Sequence, residues 1–161
     1  MLDRLPNYIR PTVFLSAIFG LVLGILLVVP VVQLFLIFLF WIIGAVIVYM
    51  LKRNNFIGQF SQREGIIIGS ISGMISVIAA AVSFIPLSMI VGAIFKTVSV
   101  SFLFTTSFMS SIFSLFVLFM LIFFIGLVNM IFNIASALGV IAIFNNFIEE
   151  KTEETEFKVE L

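Results

Sequence analysis

PTVFLSAIFGLVLGILLVVPVVQLFLIFLFWIIGAVIVYML, residues Pro11 to Leu51, runs for 41 residues without a single Asp, Glu, Lys or Arg. As one helix it would be ~62 Å long, about twice the ~30 Å hydrocarbon core of a bilayer, so it must hold two membrane spans. Pro30 supplies the break, because it has no amide hydrogen and disfavours helix at the residue before it. The expected spans are about 12–29 and 31–51, joined tightly as an αα-hairpin. Lys52-Arg53-Asn54-Asn55 closes the second span with groups that belong in water.

Two more charge-free stretches follow, Gly65 to Phe95 (31 residues) and Thr97 to Ile148 (52 residues). The first predicts a third span over 65–85, ended by Pro86. Residues 87–111 stay apolar but carry Gly92, Lys96 and a series of Ser and Thr. They predict an interfacial or re-entrant segment in which Lys96 snorkels to the headgroups, with an ordinary span over 98–122 as the alternative. Ile112 to Phe147 is almost continuous Phe, Leu and Ile and predicts the last span. The fold expected is an all-α transmembrane, four-helix membrane bundle of two αα-hairpins. It forms one domain over 1–148, followed by an acidic solvated tail, 149–161, with six Glu and two Lys. Five spans are the alternative, and would need a turn near Phe123 to Gly126.

Composition agrees with immersion in lipid. Hydrophobic residues are 63% of the chain and charged residues 10%, against about 45–50% and 25% in soluble domains. Eight basic and eight acidic residues leave no net charge, so no overall field attracts nucleic acid. With four spans and both termini in the cytoplasm, seven of the eight basic residues lie inside and only Lys96 outside. That asymmetry predicts a multi-pass protein with both termini in the cytoplasm.

The chain has no His and no Cys. Thiolate and imidazole metal sites, haem ligation through those residues and Ser-His or Cys-His nucleophiles are therefore excluded by residue type. No Asp or Glu falls within a span, which leaves membrane aspartyl chemistry, acidic metal clusters and carboxylate-coupled transport without a carrier. No catalytic residue, cofactor site or metal site is assigned, and the chain is expected not to be an enzyme.

Lipid tails are as apolar as leucine, so helices in a bilayer associate through close packing and interhelical hydrogen bonds. Ser16, Gly20 and Gly24 share one face of span one in a small-xxx-small pattern. Gly65, Gly69 and Gly73 share a face of span three, with Ser72, Ser76 and Ala80 beside it. The expectation is that spans one and three cross at their glycine faces, with Gly44 of span two nearby and Gly139 packing in the last span. Asn129 and Asn133 lie deep and one turn apart, where an amide without a partner costs several kcal/mol. Interhelical bonding is the first reading for them, and a polar lining with Thr105, Thr106 and Ser136 the second. Trp41 falls mid-span and should fill space in the bundle.

The first 84 residues combine a glycine-bearing first helix, Pro30 at the hairpin, Trp41 and Gly44-Ala45 in the second helix, a Lys52-Arg53 loop and Gly65-Ile-Ile-Ile-Gly69 opening the third. In this they resemble uncharacterised small prokaryotic multi-span membrane proteins of the domain-of-unknown-function type. The resemblance implies a plasma-membrane protein and carries over no functional residue. Two functions are expected from the sequence. The first is a structural or accessory bundle packing with itself as a homo-oligomer or with a larger membrane complex, its partners being the lipid bilayer and other membrane helices. The alternative is a small permeation pathway lined by Ser, Thr and Asn of residues 99–136.

Overall fold

The computed structural model describes residues 7–29, 31–54, 61–95 and 112–159. All regular structure among them is helical: α1 (Ile9–Leu26), α2 (Gln33–Arg53), α3 (Gln62–Phe95) and α4 (Ile112–Val159). Each helix contains a stretch long and apolar enough to cross a membrane. Many large apolar side chains point outward, among them Phe14, Leu34, Phe35, Phe38, Phe119 and Phe124, while Ile47, Leu51, Ile68 and Ile141 fill the core. Thr12, Ser16, Ser72, Ser76 and Asn133 are also fully buried. Buried hydroxyls and amides under so extensive an apolar coat are untenable in water and natural in lipid. The chain is a multi-pass membrane protein built as a four-helix bundle.

The α1–α2 connection is as tight as Pro30 predicts, although Pro30 itself lies outside the described residues. Val28 and Val29 donate to the carbonyls of Ile25 and Leu26, three residues back, and Val32 donates to Val29 O. The Gln33 side chain turns back to donate from Nε2 to Leu27 O at 2.8 Å. This satisfies a carbonyl that the end of α1 would otherwise leave open, so Gln33 has a protein partner at the hairpin.

A capping box opens α3. Glu64 N–H donates to Ser61 Oγ at 3.3 Å, and Ser61 N–H donates to Glu64 Oε2 at 3.0 Å. Two free amides of the first turn are thereby paired reciprocally.

Pro86 does not end α3, contrary to the expected 65–85 boundary. The helix continues through it to Phe95, which makes α3 ~51 Å long. Proline costs a helix one amide donor, but inside a membrane bundle neighbouring helices and hydroxyl side chains make up the loss. Ser88 Oγ, just past the proline, donates to Ile85 O at 2.8 Å, a different carbonyl from the Val82 one that Pro86 leaves without its amide. Residues 87–95 of the segment expected at the interface are therefore helix continuous with α3, and 96–111 lie outside the described residues. α4 runs unbroken through Phe123–Gly126, which removes the turn a fifth span requires. It also continues through the acidic residues to Val159.

Contacts fix the packing order. Gly20 and Gly24 of α1 meet residues 76–83 of α3 in rising register, so α1 and α3 run parallel. Gly65, Gly69 and Gly73 meet Ile141, Ile134 and Met130 of α4 in falling register, so α3 and α4 are antiparallel. Trp41 stacks on Phe132 and Tyr49 on Phe144, which sets α2 parallel to α4. The result is an up-down-up-down bundle in which α3 lies between α1 and α4.

Candidate functional site

The two small-residue faces of α3 serve different partners. A Cβ added at Gly20 or Gly24 would lie under 3.0 Å from the α3 backbone at Ser76 and Ala80. The α1 glycine face thus packs on the serine and alanine stripe of α3. The α3 glycines face the other way: a Cβ at Gly69 would lie 2.5 Å from Ile134 Cα, and one at Gly73 would collide with Met130. The expected crossing of glycine face on glycine face is corrected on this point. The reason is geometric, since 3.6 residues per turn put Ser72 about 60° round the helix from Gly69, and Ser76 about 60° from Gly73. Gly65 abuts the flexible ends of Leu138 and Ile141, whereas a Cβ at Gly139 would meet nothing within 4 Å among the described residues.

Buried hydroxyls are consumed locally. Thr12 Oγ1 donates to Tyr8 O and Ser16 Oγ to Thr12 O, each at 2.6 Å. Ser72 Oγ donates to Gly69 O and Ser76 Oγ to Gly73 O. Bonded back to their own helix, these side chains act as small apolar-tolerant contacts. Ser83 Oγ also reaches Leu21 O of α1 at 3.1 Å.

Asn133 is fully buried and works as a clamp. Its Oδ1 accepts from Gly44 N–H at 2.5 Å, and its Nδ2 donates to Phe40 O and to Asn129 O, both at 2.8 Å. Phe40 O and Gly44 N–H are the acceptor and donor that a regular helix pairs with each other. The amide of α4 therefore engages both ends of one rung of α2. Gly44 makes this possible, because a Cβ there would lie 2.5 Å from Asn133 O. Ser136 Oγ donates to Asn133 O and continues the same cluster.

Asn129, one turn away, engages α3 and only in part. Nδ2 donates to Gly73 O at 2.9 Å and to Ser76 Oγ at 3.3 Å. Its Oδ1 is buried and has no hydrogen-bond partner. Beside it lies a cavity of about 750 Å³ walled by Phe40, Trp41, Val77, Ala81, Leu121 and Ile125 among other apolar residues, with Asn129 also on the wall. Trp41 is half-buried and stacked on Phe132 with ring centroids 4.3 Å apart. Of the expected polar lining, Asn129, Asn133 and Ser136 come together, but as mutual and backbone contacts. Thr105 and Thr106 lie outside the described residues.

At the membrane edge, Tyr8 is buried beside the start of α3. Burial pushes its phenol above the ordinary value of 10.0; Glu64 raises it further and Arg63 opposes. Sequence reasoning missed two features here. The Ser61–Glu64 capping box was visible as S-x-x-E ahead of an apolar run. The pairing of Asn133 with Gly44 had only the coincidence of a deep amide and a deep glycine as its signal.

Neither a protein-family model, a curated protein nor a solved structure matches this chain.

Proposed function

We propose that the protein is a structural or accessory membrane bundle. It acts by presenting a rigid set of packed helices to further copies of itself or to a larger membrane complex. The observation carrying this reading is the use of the interior amides. Asn133 commits both its donor hydrogens and its acceptor oxygen to α2 and α4, and Asn129 commits its donor to α3. A permeation pathway needs polar groups turned toward water, and the space that reaches Asn129 is apolar instead. Residence in the plasma membrane with both termini in the cytoplasm belongs to the same proposal, on the seven-to-one distribution of basic residues. No catalytic role is proposed.

Two measurements test this. In proteoliposomes the chain is expected to leave salt and glycerol gradients decaying at the rate of empty vesicles. Extracted from native membranes in a mild detergent, it is expected to migrate as an oligomer or in a larger complex. Solute flux that Asn129→Leu abolishes, or a monomer in every mild detergent, would overturn the proposal.

A further inference from the structure

α4 changes character at Gly126. On the C-terminal side of that residue, Asn129 donates to Gly73 O of α3 and Asn133 engages the α2 backbone. Met130 and Ile134 lie against the α3 glycines, and Ala137 and Ile141 are fully buried. On the N-terminal side, residues 116–125 read FVLFMLIFFI and include no polar side chain that could bond to a neighbour. None of the ten is buried, and only Leu118 and Ile122 reach half-burial. One helix is thus clamped along one part and nearly bare along the next.

Gly126 stands at the junction, and close packing does not require it. A Cβ at Gly69 or Gly73 would strike the α4 backbone, whereas one at Gly126 would meet only Met74, its Sδ at 2.8 Å and its Cε at 3.8 Å. These atoms are the movable end of a flexible side chain. What glycine supplies here is a soft point, because it disfavours the interior of a helix relative to every residue but proline. The bare segment also has room to move. Val117, Leu121 and Ile125 form the α4 wall of the cavity of about 750 Å³, and Ile37, Phe40 and Trp41 form its α2 wall. Lipid tails are as apolar as these side chains, so exchanging lipid contacts for contacts with α2 changes little hydrophobic free energy in either direction. We propose that α4 hinges at Gly126, its 116–125 segment swinging toward α2 to close the cavity while the asparagine-clamped part stays fixed. The motion needs neither a partner nor a pore, so it stands or falls separately from the accessory role.

The chain has no native cysteine, so paired spin labels can be placed without background. Leu34→Cys with Phe119→Cys, both at exposed positions, joins α2 to the moving segment. Ile42→Cys with Ile131→Cys, also exposed, joins α2 to the clamped part. In the full chain in nanodiscs, pulsed dipolar spectroscopy is expected to resolve two distances for the first pair and one for the second. Gly126→Ala should lower the shorter-distance population about fivefold, the ratio corresponding to alanine's ~1 kcal/mol advantage in a helix. Ala81→Phe, which places a ring in the cavity that Ala81 lines, should remove that population. A single distance for the first pair, or two for the second, would overturn the proposal. So would a shorter-distance population that Gly126→Ala leaves unchanged or that persists in Ala81→Phe.

Discussion

Asn133 and Asn129 are the same residue one turn apart on α4, and the surroundings of each differ in one respect. Around Asn133 both hydrogens and the oxygen of the amide have partners, and the glycine it faces, Gly44, is in backbone contact with it. Around Asn129 the donor is satisfied, the acceptor is not, and an apolar cavity begins. The difference shows that an amide in a membrane bundle is worth what its removal leaves behind. Taking away Asn133 frees Phe40 O and Gly44 N–H, but these are rung partners and can bond each other. Taking away Asn129 loses one good bond and relieves one unmet acceptor.

Substitutions that rearrange the clamped region should have the largest effect. Gly73→Leu drives a side chain into the backbone of α4 at Met130, which cannot give way as a flexible side chain would. A loss of about 3 kcal/mol is expected, measured by unfolding the reconstituted protein in mixed micelles of rising SDS fraction. A loss below about 1 kcal/mol would show that α3 and α4 are not in contact there.

Next comes the comparison of the two amides. Asn133→Ala should cost about 1–2 kcal/mol, the scale of two interhelical hydrogen bonds in lipid, and Asn129→Ala less than about 1 kcal/mol. Equal costs in the same unfolding assay would erase the distinction drawn between the two sites. Gly139→Leu sharpens it from the other side: with nothing within 4 Å, it should stay within about 0.5 kcal/mol of the parent.

The smallest effect concerns Tyr8. Its folded phenol pKa is raised, so the stability it contributes is complete below pH 10.0, the unfolded value, and is lost as pH climbs through the folded value. In a Tyr49→Phe background, absorbance at 295 nm should therefore show Tyr8 ionising above pH 10. Glu64→Gln should lower that midpoint. Unchanged titration in the Glu64→Gln protein would remove Glu64 as a contributor.

Much of the architecture was legible because membranes impose few choices. Charge-free length gave the number of helices, and Pro30 and Lys52-Arg53 gave the first hairpin. Pro86 misled, since one proline removes a single amide donor and does not by itself end a helix held within a bundle; α3 runs through it to Phe95. The glycine faces were correctly grouped within each helix, but the partner of each face was not readable. Periodicity says which residues share a side and nothing about which helix lies against it. Asn133 was legible as an interhelical donor. Its target on α2 was not, because that target is backbone and has no side-chain signature. The cavity had no signal at all: it opens between residues of α2, α3 and α4, and apolar walls look the same in sequence whether packed or apart.

The central claim is that the polar interior is dry and structural. Ser76→Cys tests it most directly, since the chain has no native cysteine, the exchange is nearly isosteric, and Ser76 is fully buried against Asn129. In intact proteoliposomes a membrane-impermeant thiol reagent, applied from each side in turn, should leave Ser76→Cys unmodified while labelling Asn54→Cys at the water-exposed end of α2. Labelling of Ser76→Cys from either side at a rate close to that of Asn54→Cys would mean that water reaches the asparagines, and would contradict the account.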